Sequence, residues 1–319
     1  MKSMETRASS YVKGFYYETE VLLRNHNPVL ATKKGRGVEV LINHEDYAKI
    51  DEYRQYISGE GRSRETLEVF QVRDLRKRHA EIVSLTNAHN PIFITKRWQG
   101  SSVLLSPEDY VGLEEYWHYA CVEEKLQEAA EKSPDAGLGD YKKVFRNLLK
   151  NVKACYTAGA EKTMKVMKIM EARPVIDLRS LFPEIEALVR NHNPVLITKS
   201  GQGATILIYH EDYAQINEYR KQLSGAGWKT REEMQKQPVR ILRNNYPEIE
   251  LLLAHGNPVF VTKLGGDFAV LLNLEDYAEL EEYWHYMYVE EKLQEAAAKS
   301  PDANQNGCKE FRKLLKKIF

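Results

Sequence analysis

Net charge is the first thing this chain lacks. Its 46 Lys+Arg balance 46 Asp+Glu, which excludes a uniformly cationic nucleic-acid binder while leaving room for local basic patches. Cysteine is scarce: Cys121, Cys155 and Cys308 stand far apart, with no Cys-x-x-Cys and no histidine at ligand spacing, so neither a disulfide framework nor a metal site is signalled. Glycine (18) and proline (11) are too few for a collagenous or low-complexity chain. No run approaches the roughly 20 apolar residues of a membrane span. Met1–Gly14 is polar and basic without the apolar centre of a signal peptide, so the expectation is a cytoplasmic protein with no membrane partner. What is present is 43% apolar and 29% charged residues over 319 positions, a globular composition with room for two or more domains.

The chain repeats itself four times. Asn-Pro, a short apolar run and Thr-Lys recur at Asn27-Pro28…Thr32-Lys33, Asn90-Pro91…Thr95-Lys96, Asn193-Pro194…Thr198-Lys199 and Asn257-Pro258…Thr262-Lys263. Each is followed by Glu-Asp-Tyr, and 18 positions separate the proline from that aspartate every time. A second order lies above the first. Repeats 1 and 3 begin Arg-Asn-His-Asn-Pro, whereas repeats 2 and 4 end Glu-Glu-Tyr-Trp-His-Tyr and continue into near-identical extensions from Val122 and Val289. A pair of modules has therefore been duplicated as a unit. The reading gives a first half over 1–150, with modules at about 11–57 and 71–119 and an extension over 120–150. A helical linker covers 151–173. The second half covers 174–319, with modules at about 174–223 and 238–286 and an extension over 287–319.

Within repeat 3, Val175–Leu178 alternates like a short strand and Pro183–Val189 places Ile185, Leu188 and Val189 at helical spacing. Pro194–Thr198 and Ala204–Ile208 flank a glycine-containing turn and read as a hairpin. In repeat 2, Ser106-Pro107-Glu108-Asp109 opens a helix with a capping hydroxyl, a proline at the first position and acids against the dipole. Each module is thus β-α-β-β-α and the class is α+β. A unit of about 45 residues rarely buries enough surface to stand alone, so modules are expected to pair within each half through linkers at Ser58–Arg64 and Ser224–Lys229. Paired this way, residues 1–150 are expected to fold alone and the chain to be a monomer or dimer.

An apolar strand ending in Thr-Lys, a Gly hairpin, a second apolar strand and Glu-Asp-Tyr, as in Asn193–Tyr213, resemble the Phd/YefM antitoxins. The resemblance implies two covalent pseudo-dimers, with helical extensions after modules 2 and 4. It also implies transcription regulation by binding operator DNA, and neutralisation of a RelE-like toxin by the extensions. The family carries an Arg near the start of its first helix as a DNA contact. Counting back 15 from each proline gives Lys13, Arg76, Arg179 and Arg243.

To these the hairpin lysines Lys33, Lys96, Lys199 and Lys263 are added as phosphate contacts, the competing reading being a solvated face. The first half carries more cations in these segments and is the expected DNA-binding half. For a protein partner, Val122, Leu126, Tyr141, Phe145 and Leu148, and Val289, Leu293, Phe311, Leu314, Leu315 and Ile318, form apolar helical stripes. They fit a toxin groove or the chain's own modules. The alternative to an antitoxin is an interaction scaffold that does not bind DNA. The recurrent His26, His89 and His192 have no nucleophile or ligand at useful spacing, the Glu-Asp pairs read as helix starts, and no phosphate loop is present, so neither catalysis nor a cofactor is expected.

Overall fold

The computed structural model describes residues 4–62, 66–96, 99–132, 140–157, 170–200, 202–299 and 307–316. Module 1 comprises β1 (Glu5–Ala8), α1 (Ser9–Gly14), α2 (Tyr16–Arg24), β2 (Val29–Lys33), β3 (Arg36–Asn43) and α3 (His44–Ser58). Module 2 comprises β4 (Glu68–Gln71), α4 (Asp74–Lys77), α5 (His79–Asn87), β5 (Ile92–Lys96), β6 (Gln99–Leu105) and α6 (Pro107–Lys132), and α7 (Tyr141–Thr157) follows it. The second half repeats the order. Module 3 has β7 (Glu171–Pro174), α8 (Asp177–Ser180), α9 (Phe182–Arg190), β8 (Val195–Lys199), β9 (Gln202–Tyr209) and α10 (His210–Ser224). Module 4 has β10 (Gln235–Pro238), α11 (Val239–Asn244), α12 (Tyr246–Leu253), β11 (Val259–Lys263), β12 (Gly266–Leu272) and α13 (Leu274–Lys299), and α14 (Gly307–Leu315) follows.

The expected pairing of modules is seen as one six-stranded sheet per half, ordered β1-β2-β3-β6-β5-β4 and β10-β11-β12-β9-β8-β7. The modules join at their second hairpin strands, antiparallel, with Val40 opposite Leu105 and Val270 opposite Ile208. The first strand of every module adds in parallel at an outer position. A register shift falls just before Thr-Lys in all four hairpins, so the repeated dipeptide marks a repeated bulge. Hairpin strands are covered on both faces, which explains their nearly continuous apolar runs. Val29, Ala31 and Leu41 face α1, α2, α4 and α5 in an outer core. Leu30, Val40 and Ile42 face the other way.

That second face belongs to a core shared by both halves. Inner residues of the two sheets, together with α3, α6, α7, α10, α13 and α14, form one continuous cluster. Its contacts are reciprocal: Trp117 packs on His285 at 5.5 Å and Trp284 on His118 at 4.7 Å between ring centroids. Lys125 reaches Glu282 at 3.2 Å and Lys292 reaches Glu115 at 3.7 Å. His118 and His285 meet at the centre, Nδ1 to Nδ1 at 2.5 Å, so one imidazole donates and the other accepts. The edge strands β1 and β7 are covered by the opposite half. The Pro174 ring lies against Gly35, where a Cβ would come within 2.7 Å and the backbone φ is +79°.

The sequence expectations need correcting at the module order, which is β-α-α-β-β-α because two helices stand where one was expected, at the module starts and at the division into halves. The strand of module 3 is Glu171–Pro174, not Val175–Leu178, and Leu178 is a buried residue of α8. The first strands Glu-Thr-Arg-Ala and Gln-Lys-Gln-Pro precede the expected module starts at 11 and 238, because three polar residues and an Ala or Pro, held by parallel pairing, show no apolar alternation. α7 runs past 150 and β7 starts inside the expected linker; residues 158–169 of that linker lie outside the described residues. The shared core draws buried residues from both halves, so residues 1–150 by themselves would leave part of that cluster uncovered.

Candidate nucleic-acid interface

Each module places its expected cation in its first short helix, and the sheet joins the modules so that these helices meet in pairs. Arg76 on α4 donates from Nε to the Lys13 carbonyl (2.8 Å) and from Nη2 to the Gly14 carbonyl (3.2 Å) at the end of α1. In the second half Arg179 donates from Nε to the Arg243 carbonyl (2.9 Å) and from Nη2 to that of Asn244 (3.2 Å), and Arg243 returns a bond to the Arg179 carbonyl (3.2 Å). The guanidinium groups thus tie one module's helix end to the other's. A guanidinium has five N–H donors, so each retains unused ones, and Arg76, Arg179 and Arg243 are exposed. Residues 63 or 64 positions apart in the chain become neighbours on the outer face of each half.

Three of the four hairpin lysines are ion-paired within their half. Lys96 is ion-paired with Glu20, Lys199 with Glu250 at 2.7 Å, and Lys263 with Glu186, each reaching the second helix of the other module in its half. Each of these three charges thus has an acid beside it within the half. Lys33 is the exception. Glu20, Glu186 and Glu250 stand eight residues before their prolines, and the same place in module 2 is Val83. Lys33 is exposed and has no ion-pair partner among the described residues.

The first half is also the more cationic. Exposed Arg73 and Lys77 flank Arg76, and Lys34 and Arg36 lie in the hairpin beside Lys33. Arg78 is held by Glu81 through two bonds of 2.7 and 2.5 Å. At the matching positions of the second half Lys34, Arg36, Lys77 and Arg78 are replaced by Ser200, Gln202, Asn244 and Asn245, whereas its Glu184, Glu186 and Glu248 recur in the first half as Glu18, Glu20 and Glu81. Beneath the Lys13–Arg76 pair lies a cluster of titratable groups, where the matching positions of the second half hold the neutral Thr205–Tyr246 hydrogen bond of 2.6 Å. Lys13 Nζ contacts His79 Nε2, and Glu39 sits nearby, buried, with Oε1 lacking a hydrogen-bond partner. Burial lowers the Lys13 pKa, Glu39 opposes the shift and Lys33 adds to it. Burial, then Lys13 and Lys33, lower that of His79. Burial raises that of the Glu39 carboxyl and Lys13 opposes the rise. The expected set contained neither His79 nor Glu39. Aligning the modules would have shown both, since His79 occupies the place of Tyr16, Phe182 and Tyr246, and Glu39 that of Ser102, Thr205 and Ala269.

The expected partner surface is not a surface. Val122, Leu126, Phe145, Leu148, Val289, Leu293, Phe311, Leu314 and Leu315 are all buried in the shared core, and Tyr141 packs partly buried against it. Ile318 lies outside the described residues. The reason is that the chain supplies the cover: α7 lies against α3, α6 and, in the other half, α13, while α14 lies against α13 of its own half and α7 of the other, and Phe145 stacks on Phe311 with centroids 6.1 Å apart. Cations of the same two helices are ion-paired within the chain. Arg146 binds Glu123 at 3.0 Å and Glu52 at 2.7 Å, and Arg312 binds Glu290 at 2.6 Å.

The recurrent histidines have a structural task that spacing did not reveal. His26, His89 and His192 adopt φ of 61°, 59° and 63°, and their Nδ1 atoms meet Asp46, Asp109 and Asp212 at 2.9, 3.1 and 2.7 Å. Gly256 takes the same left-handed conformation in module 4, at φ 66°. The aspartate of Glu-Asp-Tyr therefore anchors the turn before the hairpin in three modules. Among the described residues no group of three or more His, Cys, Asp or Glu is arranged to hold a metal ion. Compared with protein families, curated proteins and solved structures, the chain matches none.

Proposed function

We propose that this chain is a non-enzymatic, antitoxin-like regulator that binds duplex DNA with the outer face of its first half. The observation that carries the reading is the exposed Arg76 guanidinium seated on the Lys13 and Gly14 carbonyls across the module pair, with Lys33, exposed and without an ion-pair partner among the described residues, near Lys13. Two cations related by pairing of like modules suit two phosphates on a duplex, and the unused guanidinium donors suit phosphate oxygens. The second half keeps the Arg179–Arg243 pair amid acids and has a secondary role. Capture of a toxin by the apolar stripes of the extensions is not part of the proposal, because the chain covers those stripes itself. Among the described residues no helix is long and apolar enough to cross a membrane.

The second half, 174–319, carries 18 Lys+Arg against 21 Asp+Glu, and this acidic balance favours a second reading, an interaction scaffold without DNA. Fluorescence anisotropy with a labelled duplex across a salt series separates the two. The proposal expects binding that weakens with salt. Lys33→Ala with Arg76→Ala should flatten the logarithmic salt slope by about 0.9 for each lost contact. Absence of binding at low salt would leave the scaffold.

A further inference from the structure

We propose that Lys13, Lys33 and His79 form a proton-gated site for a phosphate oxyanion, which under the DNA-binding reading above is a phosphodiester of the duplex. The inference rests on that reading and adds to it a residue and a form of regulation. Its basis is a break in the fourfold repeat. Where module 2 has His79, the other modules have Tyr16, Phe182 and Tyr246, whose rings are buried in the outer cores. Where module 2 has Val83, the others have the glutamates that neutralise the opposing hairpin lysine. Both departures fall on α5 and act on module 1. One brings an imidazole to Lys13, and the other leaves the Lys33 charge uncompensated.

In the free protein the ammonium of Lys13 can only donate, so His79 Nε2 is the acceptor and the imidazole is neutral. Lys13 is then held inward, where the buried Glu39 attracts it. The charged groups around His79 are Lys13 from α1, Lys33 from β2 and, through Lys13, Glu39 from β3. Arg76 and Arg78 precede it in the chain, the latter occupied by Glu81. Protonating His79 removes the acceptor and sets a third positive charge beside the two lysines. An oxyanion placed among them relieves the repulsion and supplies acceptors for all three. Binding therefore takes up a proton, and affinity rises as pH falls from neutrality. The depressed affinity of His79 for a proton in the free state has the sign this linkage needs, burial and the two lysines being its causes.

The test is anisotropy of the full chain with a labelled duplex at about pH 7.5 and about pH 5.5, bracketing ordinary histidine titration. The quantity read is the ratio of the two affinities within each protein. Wild type should bind about tenfold tighter at the lower pH for each unit by which the phosphate raises the His79 pKa, with a salt slope steeper by about 0.9. His79→Phe, carrying the module 3 residue, and His79→Gln, which keeps an acceptor for Lys13, should both lose that part of the ratio. If both variants keep the full ratio, or wild type shows none, the inference fails while the DNA reading stands. A second arm follows the His79 imidazole resonance against pH, with inorganic phosphate or unlabelled duplex. A raised midpoint with both supports the site and the reading. A raised midpoint with inorganic phosphate alone, without duplex binding, keeps the site and removes the DNA reading. No shift with either overturns the site.

Discussion

Replacing Phe311 by alanine distinguishes a helix that belongs to the core from one that waits for a partner. Phe311 is fully buried, stacks on Phe145 of the other half and is flanked by buried Leu314 and Leu315. Removing a buried phenylalanine ring costs about 3–5 kcal/mol, through lost transfer free energy and the cavity left behind. At roughly 2.1 cal/mol/K of unfolding entropy per residue, the 319 residues have an entropy of roughly 0.7 kcal/mol/K. The melting temperature should therefore fall by about 4–7 °C, read by scanning calorimetry. Phe145→Ala should act similarly, and the double variant should fall short of the sum by about 0.5–1.5 kcal/mol, the coupling of the ring pair. A melting temperature within about 1 °C of wild type for Phe311→Ala would falsify the burial argument and restore α14 as a free binding surface.

Three further outcomes follow from the same geometry. A chain ending at Thr157 uncovers one side of the shared core, so sedimentation should find it self-associated or unfolded; a folded monomer would rule out a core common to both halves. Burial pushes the His285 pKa down to about 3 and that of His118 well below its usual value, with the nearby imidazole adding to the latter. Below the unfolded value of about 6.5 the unfolded chain binds more protons, so stability falls by up to about 1.4 kcal/mol per pH unit for each imidazole. The loss continues as pH drops until the folded imidazoles themselves protonate. Urea midpoints between pH 7 and 5 should show this fall, and a His118→Gln/His285→Gln pair should flatten it; an unchanged slope would count against the buried pair. Val83→Glu supplies module 2 with the acid the other modules have, and should pair with Lys33 and lower the salt slope of DNA binding by about 0.9. Unchanged binding would show that Lys33 makes no phosphate contact.

The sequence by itself determined the repeat, and with it most of the local structure. Constant spacing from Asn-Pro to Glu-Asp-Tyr placed four hairpins, Ser106-Pro107 placed the start of α6, and Gly59 and Gly225 ended α3 and α10 in the left-handed conformation. These features are local: a turn, a cap or an apolar period is set by residues within one helical turn or one strand. It also marked Lys13, Arg76, Arg179 and Arg243 as equivalent, since equivalence is a matter of counting. Only the tertiary structure decided what those positions meet. Strands such as Gln235–Pro238 exist through parallel pairing with a neighbour and have no apolar alternation of their own. Lys96 meets the acid that neutralises it from 76 residues away, and Lys33 lacks one because of a valine on another module. An amphipathic stripe records that something must cover it, and its periodicity is the same whether the cover is a partner or the chain itself. Here Phe145 and Phe311 cover each other, because two copies of one module pair, joined in a single chain, present matching faces at high effective concentration.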